Sequence, residues 1–299
     1  MKIIIYFIII SIILYYQSNQ YLKNGYTYSY NKFRSLYVHS NNSKRITNFI
    51  FRMASFPINN LPNEIKDVLD HCNKKNPNYI QIYLDDNDCI LFIKEYYPEY
   101  YTAYMSVIPG AFRSDIVRLL LLYKYGGIYA DIGYQFVQPI DFFINDTDEM
   151  IIIKDVDKLK EKNKKLTNVI VDIITNSYSI HNAFIATYPS HFLIYEMIKY
   201  IMSNVNKKYY GKTALDITGP NALGVVYKNI FNRPLEIGTF NINNNKIKIL
   251  YYNFGNNYVS IIDENNYNLM ITKFKNYHKV MYSKIPHYKK LWANKLVYK

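Results

Sequence analysis

The sequence predicts a mixed α/β fold in which a partly parallel sheet is covered by helices. From about residue 46 onward, short apolar runs that are typical of buried strands alternate with longer helical patterns. The chain has 299 residues, of which 49% are hydrophobic, so it is long enough to bury a large core and a disordered chain is excluded. We therefore expect one folded domain over 46–299.

The predicted elements alternate along this domain. The strand candidates are 79–84, 128–130, 150–153, 169–174 and 183–186, and the helix candidates are 111–125 and 190–202. The turn Thr218-Gly219-Pro220 predicts one more helix, because proline is tolerated at the first helical position. The charge-rich segment 158–165 is expected to lie at the surface as a loop or helix. This order favours strands joined by helical crossovers.

The first 16 residues are predicted to be a membrane signal. Lys2 precedes an unbroken apolar run over 3–14, which is the pattern of a secretory signal. The run is shorter than the ~20 residues that cross an average bilayer, so a cleaved signal peptide and a short anchor both stay open. No Ala-x-Ala cleavage pattern follows, and we therefore expect an uncleaved anchor over 1–16 that contacts the membrane through residues 3–16.

An uncleaved anchor implies a single-pass type II membrane protein whose domain lies in the lumen of the secretory pathway. Cleavage would instead release a secreted form, and a cytosolic protein with an isoleucine-rich start is the remaining alternative. Residues 17–45 are polar and rich in Tyr, Asn and Ser, so they are expected to form a stem or linker.

Cysteine usage excludes two structural classes. Cys72 and Cys89 are the only cysteines, too few for a disulfide scaffold, and they lack the paired spacing of a structural zinc site. One bridge between them and two unrelated buried thiols both stay open.

The segment 111–134 places charged residues inside an apolar helix. Residues 116–117 and 119–122 are apolar on every side of this helix, which indicates burial. Asp115 and Arg118 are three positions apart and share one helix face. Since buried charges are costly unless paired, they form either a structural ion pair or a pair that binds a polar ligand at the edge of the core.

Gly126 and Gly127 predict a tight turn from this helix into a buried strand, because glycine suits the left-handed position that ends helices. The strand over 128–130 runs directly into Asp131. In open α/β sheets, ligands bind in the crevice outside the carboxyl ends of the strands, so Asp131 is expected to face a nucleotide or its metal ion.

Eight positions in this region form the pattern Ser-Asp-x-x-Arg…Tyr-Gly-Gly-x-Tyr-x-Asp: Ser114, Asp115, Arg118, Tyr125, Gly126, Gly127, Tyr129 and Asp131. In this pattern the chain resembles the glycosyltransferases that carry a sugar-binding Asp-x-Asp region. That family includes initiating α-mannosyltransferases, inositol-phosphoceramide mannosyltransferases and α-1,4-galactosyltransferases. The resemblance extends over roughly 46–230 and includes the segments 76–86 and 181–191.

The resemblance implies a GT-A fold, a UDP- or GDP-sugar donor, and transfer of a hexose to a glycan or glycolipid with retention of the anomeric configuration. By position, Asp115 and Arg118 would hold the hydroxyls of the donor sugar, and Tyr129 would line the nucleotide pocket. Asp131 would contact the ribose and the metal-bound diphosphate, which makes these two carboxylates and Arg118 the predicted catalytic residues. The other predicted substrate-binding residues are Ser114, Gly126, Gly127 and Asn182.

The chain departs from the family pattern at Gly133, where many members have a second Asp that binds the metal. The resemblance implies Mn²⁺ or Mg²⁺, and with Gly133 one carboxylate ligand is missing. Asp131 and His278 are the predicted metal ligands, because the region of His278 and Trp292 resembles the carboxyl-terminal segment that closes over the donor. A metal-independent or inactive protein is the alternative outcome.

The chain carries 36 Lys and Arg against 23 Asp and Glu, a net charge of +13, which favours an anionic partner. No pattern of a nucleic-acid-binding fold accompanies this charge, so nucleic acid is not an expected partner. The sequence thus predicts a membrane-anchored glycosyltransferase. The alternative is a catalytically inactive relative that binds a nucleotide sugar.

Overall fold

The computed structural model describes residues 27–36, 44–155, 178–254, 259–282 and 286–299. Within these ranges the chain folds into one mixed sheet of 11 strands with helices packed against it, so the predicted α/β class is confirmed. The strands are β1 (Thr27–Ser29), β2 (Phe49–Met53), β3 (Ile80–Leu84), β4 (Gly127–Ala130), β5 (Gln135–Phe136), β6 (Met150–Lys154), β7 (Phe184–Thr187), β8 (Gly238–Ile242), β9 (Asn245–Phe254), β10 (Val259–Ile262) and β11 (Asn268–Ile271). The α-helices are α1 (Tyr30–Leu36), α2 (Asn63–Lys75), α3 (Asp86–Tyr96), α4 (Tyr101–Ser106), α5 (Gly110–Tyr125), α6 (Phe192–Asn206), α7 (Pro220–Phe231), α8 (Tyr277–Tyr282) and α9 (Tyr288–Ala293).

The sheet has the order β1-β3-β2-β4-β7-β6-β9-β10-β11-β5, and β8 pairs with β9. The strands β1, β3, β2 and β4 are mutually parallel, whereas β7 runs antiparallel between β4 and β6. The carboxyl ends of β2, β4 and β6 and the start of β7 therefore meet at one edge of the sheet. The register of β4 on β7 places Ala130 opposite Phe184, so Asp131 lies beside the residues that precede β7.

Helix α5 forms the centre of the core, and the predicted helix over 111–125 is confirmed. Residues 119–122 are four leucines, each with 0% exposure, as expected for a helix that is apolar on all sides. Each buried leucine stabilises the fold by about 1.5–3 kcal/mol relative to an exposed one. The helix ends at Gly126, whose φ of 65° lies in the left-handed region. A Cβ at this position would lie 2.6 Å from Pro189 Cδ, so the turn into β4 requires glycine.

The structure differs from the prediction at 27–36, which lies inside the expected stem. The strand β1 pairs with β3, and α1 buries Tyr30 and Phe33 completely. The Phe33 and Tyr125 rings are 5.2 Å apart, which ties this segment to the end of α5. These two aromatic residues stand in a polar context without an apolar period, so the sequence pattern does not reveal their burial.

Both cysteines are free and buried, which confirms two unrelated thiols and excludes the bridge. Cys72 lies in α2 and Cys89 in α3, where the Sγ of Cys89 is 3.7 Å from Met53 Sδ. The predicted strand over 169–174 and surface segment over 158–165 lie outside the described residues. The predicted anchor over 1–16 also lies outside the described residues. Among the helices described, none has the length and apolar character needed to span a bilayer.

Candidate active site

A cavity of about 300 Å³ opens where β2 and β4 end. One side is formed by residues of α5, β4 and the turn after β4, and another by residues of α8 and α9. We call Ser114, Asp115, Arg118, Tyr129 and Asp131 the buried cluster. We call Tyr277, Met281, Tyr282 and Tyr288 the C-terminal wall. All of these residues except Asp115 line the cavity.

Arg118 connects the members of the buried cluster. Its Nη2 lies 3.0 Å from Oδ1 of Asp115, and its Nη1 lies 3.5 Å from Oδ1 of Asp131. Its Nε donates to the carbonyl of Ser114 at 3.2 Å, and its guanidinium carbon is 4.4 Å from the ring centre of Tyr129. Burial works to lower the pKa of Arg118, but its neighbours Tyr129, Asp115 and Asp131 raise it overall. The guanidinium therefore stays charged inside the core.

Asp115 lies behind Arg118, buried away from the cavity. Its Oδ1 accepts a hydrogen bond from Asn182 Nδ2 at 2.8 Å, and its Oδ2 accepts one from Thr218 Oγ1 at 2.8 Å. Burial raises the pKa of Asp115 to about 6, against the opposing effect of the Arg118 charge. Because both oxygens are engaged by protein groups, Asp115 holds Arg118 in place in this arrangement.

Asp131 is the carboxylate of the cluster that reaches the cavity, with 33% of its side chain exposed. The hydroxyl of Tyr129 donates to its Oδ1 at 2.7 Å. Its backbone is fixed on both sides: the N–H donates to Ala183 O at 2.8 Å, and the C=O accepts from Arg52 Nη1 at 2.7 Å. Asp131 is thus a rigidly held acceptor at the carboxyl end of β4, as the sequence predicted.

The other predicted substrate-binding residues divide into two groups. Ser114 lines the cavity, and its Oγ accepts from Arg118 Nη2 at 3.2 Å. Gly126, Gly127 and Asn182 are not among the described residues that line it. The two glycines shape the turn between α5 and β4, and Asn182 bonds to Asp115 while its carbonyl accepts from Arg118.

The predicted metal ligands do not form a cation site in this arrangement. Among the residues that the structure describes, no three His, Cys, Asp or Glu side chains come close enough to hold a metal ion. A Cβ at Gly133 would lie 2.8 Å from a ring carbon of Tyr277 and 2.9 Å from the carbonyl oxygen of Thr272. His278 is exposed, and its Nε2 lies 3.1 Å from Lys273 Nζ. The residues around Gly133 therefore leave no room for the second carboxylate of the family pattern.

Sequence reasoning missed several residues of the site. Thr218, 103 positions from Asp115 in the chain, and the fully buried Arg52 support the cluster from other elements. A second polar group lies at the same edge of the sheet. His181 Nε2 is 2.7 Å from Tyr134 Oη, and His181 Nδ1 is 3.5 Å from Asp155 Oδ1. The position of Asp155, two residues after the predicted strand over 150–153, is the signal that could have revealed this group.

Residues 62–155 match a family model described as "Glycosyltransferase sugar-binding region containing DXD motif". Inositol phosphoceramide mannosyltransferase 3 of Schizosaccharomyces pombe is 33% identical over 95 residues, 32% of this chain and 26% of the relative. Initiation-specific alpha-1,6-mannosyltransferase of Candida albicans is 34% identical over 83 residues, 27% of this chain and 21% of the relative. The predicted resemblance is confirmed for this segment, and the chain spans about a quarter of the length of these curated relatives.

The chain is also similar to two solved structures. The chain matches "PaToxG Glycosyltransferase" with 17% identity and a TM-score of 0.39, over 62% of this chain and 70% of the other. It matches the ligand-free glycosyltransferase domain from the YGT toxin with 12% identity and a TM-score of 0.34, over 62% of this chain and 72% of the other. Likenesses this distant carry no argument about mechanism or substrate.

Proposed function

We propose that the chain is a glycosyltransferase with a GT-A fold that transfers a hexose from a UDP- or GDP-sugar to a hydroxyl of a glycan or glycolipid, with retention of configuration. The observation that carries the proposal is the pair of Arg118 and Asp131. These side chains meet at the sheet edge, inside the segment that matches the family, and both line the cavity. The two similar mannosyltransferases support a hexose as the transferred group.

The chemistry of the cavity suits a ligand that is rich in hydroxyl groups. Asp131 offers a carboxylate acceptor, and Ser114 offers a hydroxyl that donates and accepts. Arg118 contributes a fixed positive charge that does not have to be ordered when the ligand binds, because Asp115 and Ser114 already hold it. A volume of about 300 Å³ lies at the lower end of the range for small-molecule sites.

In the proposed reaction the bond from C1 of the hexose to the diphosphate oxygen breaks, and a bond from C1 to the acceptor oxygen forms. The proton of the acceptor hydroxyl leaves with the nucleoside diphosphate. Negative charge develops on the leaving diphosphate, so groups that stabilise this charge lower the barrier. Mn²⁺ or Mg²⁺, which the resemblance implies, would find Asp131 in the cavity but no carboxylate at position 133. The other carboxylate that lines the cavity, Asp86, lies at the start of α3 and is not part of the family pattern, so no step is assigned to the cation.

The direct test is turnover by the purified full chain with UDP- and GDP-hexoses, in Mn²⁺ and in EDTA, measured as donor hydrolysis and as transfer to a panel of glycan and glycolipid acceptors. We expect Asp131→Asn to reduce kcat by about 10²-fold, the order of loss when a substrate is no longer held in its reactive position. Asp67→Asn, an exposed change in α2, should retain full turnover. Full turnover by Asp131→Asn would refute the role of that carboxylate.

The filled space beside Gly133 also favours a second candidate, a catalytically inactive relative that binds a nucleotide sugar. Titration calorimetry separates the two candidates. Donor binding without turnover across the acceptor panel would identify the inactive relative.

We further propose that residues 1–16 anchor the chain as a single-pass type II protein with a lumenal domain. The support is the sequence pattern of Lys2 followed by the apolar run. Synthesis in the presence of microsomes should give a domain that protease cannot reach until detergent is added. A domain digested without detergent would contradict this topology.

A further inference from the structure

The space that a second acidic residue would need is occupied by the protein itself. A Cβ at Gly133 would also lie 3.0 Å from a second ring carbon of Tyr277, so the tyrosine ring covers this position. Tyr277 opens α8 and lines the cavity. Lys273, which follows Thr272, lies next to this tyrosine, with its Nζ 5.7 Å from the ring centre of Tyr277.

Four basic side chains lie next to the aromatic residues of the C-terminal wall without lining the cavity themselves. We call Lys273, His278, His287 and Lys289 the basic rim. The ring of His278 stacks on Tyr282 at 5.8 Å, and the ring of His287 stacks on Tyr288 at 4.4 Å. Lys289 lies beside His287, since its backbone N–H donates to His287 Nδ1 at 3.3 Å. The rim is therefore tied to the cavity through the rings that line it.

Two members of the rim are in direct contact, since Lys273 Nζ lies 3.1 Å from Nε2 of His278. The pKa of His278 is lowered by burial and by Lys273, and the pKa of His287 is lowered by burial, Lys289, His278 and Lys273. Burial also lowers the pKa of Lys273, although Asp131 opposes this effect, which places Lys273 within the electrostatic reach of that carboxylate. At neutral pH the positive charge of the rim is therefore carried by Lys273 and Lys289, and these two lysines attract an anion.

We propose that the basic rim binds the diphosphate of the donor directly, so that the chain holds a nucleoside diphosphate without a divalent cation. This inference rests on the proposed function and names how the same site holds its leaving group. Lys273, with His278 beside it, supplies the positive charge that a second carboxylate and its metal would otherwise bring. When the bond to the sugar breaks, the electron pair and the resulting charge stay on the diphosphate facing these side chains.

The test is calorimetric titration of the full chain with UDP and with GDP, once in EDTA and once in Mn²⁺. For the nucleotide that binds, we expect Kd values in the two conditions to agree within about threefold. Lys273→Met should weaken binding in EDTA by about tenfold, the effect of one charge-assisted hydrogen bond. The matched control is Lys207→Met, which removes an exposed lysine after the end of α6 and should leave Kd unchanged.

The free nucleoside provides a matched control on the ligand side. Uridine or guanosine lacks the diphosphate, so its binding should not respond to Lys273→Met. The inference is wrong if the diphosphate binds only in Mn²⁺, or if Lys273→Met binds it as tightly as the wild type. An equal loss for nucleoside and diphosphate would also overturn it, because Lys273 would then support the shape of the cavity instead of binding the anion.

Turnover distinguishes failure of the inference from failure of the proposed function. Turnover that appears in Mn²⁺ and vanishes in EDTA would support the proposed glycosyltransferase activity and refute the binding of the diphosphate without a cation. Diphosphate binding in EDTA without turnover of any donor would support the role of the basic rim and refute the proposed transfer reaction.

Discussion

The buried cluster and the C-terminal wall border the same cavity but are held in opposite ways. Asp115 and Arg118 are 7% and 4% exposed, lie on the 16-residue helix α5, and are bonded to partners from three other parts of the chain. The wall is carried by two six-residue helices without any buried residue. The site therefore combines a preorganised part with a weakly held part, which is how many enzymes fix charges in advance and still admit a ligand.

The difference follows from the cost of burying charge. A charge inside the core is tolerated only if protein groups replace the water that would solvate it. In the cluster, Asn182 and Thr218 donate to Asp115, and the carboxylates of Asp115 and Asp131 pair with Arg118. The basic rim remains at the surface, where water screens its mutual repulsion. The rim can therefore keep unneutralised charge for a ligand, whereas the cluster cannot.

The largest effect on this comparison is expected from Arg118→Met. The substitution leaves Asp115 buried without its positive partner, so it should destabilise the fold by about 3–5 kcal/mol. Arg34→Met is the matched control, because Arg34 forms an ion pair with Glu95 in which both side chains are about 40% exposed. Such a surface pair contributes about 0–1 kcal/mol. Urea denaturation of both variants measures the difference, and equal losses would contradict the distinction between the two environments.

The next effect is a dependence of stability on pH that Asp115 imposes. Its pKa is about 6 in the fold against a reference value of 3.8, so between these pH values the folded state binds more protons than the unfolded state. The contribution of Asp115 to stability should therefore fall as the pH rises from about 4 to 6, by at most about 3 kcal/mol. The free energy of unfolding across this range, measured for wild type and Asp115→Asn, reports the contribution as the difference in slope.

Two comparisons control that pH experiment. His191 is buried with its pKa lowered to about 4, so it acts with the opposite sign in the same range, but it is present in both proteins and cancels. Asp67→Asn, an exposed change, should keep the wild-type slope of the free energy of unfolding against pH. If Asp115→Asn keeps it as well, the carboxylate of Asp115 is not disfavoured by burial.

The sequence predicted the parts of the site that lie close together in the chain. Asp115 and Arg118 are three residues apart on a helix that is apolar all round, and Gly126 marks where that helix turns toward Asp131. Such spacings follow from helix geometry alone. The fold class was predictable for the same reason, because alternating strand and helix patterns are local signals.

The remaining parts depend on contacts between distant segments. Thr218 and Asn182 lie 103 and 67 positions from Asp115, and their identities do not reveal a shared partner. The packing of Tyr277 on Gly133 is equally hidden, although Gly133 itself was recognised as a departure. His278 was predicted as a metal ligand because of its segment, and its neighbour Lys273 carried no motif that sequence reasoning could use.

A smaller effect than that of Arg118 is expected from Thr218→Val, which keeps the shape of the side chain but removes the hydroxyl. Oδ2 of Asp115 then loses its donor inside the core, at a cost of about 1–3 kcal/mol. Thr239→Val, in the exposed part of β8, should change stability by less than about 0.5 kcal/mol. If Thr218→Val is as stable as wild type, Thr218 does not support the cluster. The loss of stability expected for Arg118→Met would then arise from its contact with Asp131.

The smallest expected effect concerns how the two parts open. Amides in the buried leucine run of α5 should exchange hydrogen only through global unfolding, whereas amides of α8 and α9 should exchange through local opening, orders of magnitude faster. A nucleoside diphosphate added at ten times its Kd should slow the wall amides by about tenfold, or about 1.4 kcal/mol. The turn at Asn243–Asn244 between β8 and β9 does not line the described cavity and should exchange at an unchanged rate.

Hydrogen exchange read by mass spectrometry, with and without UDP or GDP, distinguishes a wall that closes on its ligand from one that is merely near it. In Lys273→Met the slowing of α8 should be largely lost, because the diphosphate no longer has its main cationic contact in the rim. In Lys207→Met it should persist. Wall amides as slow as those of α5 without nucleotide would mean that both sides of the cavity are equally rigid, and ligand entry would then require opening of the core itself.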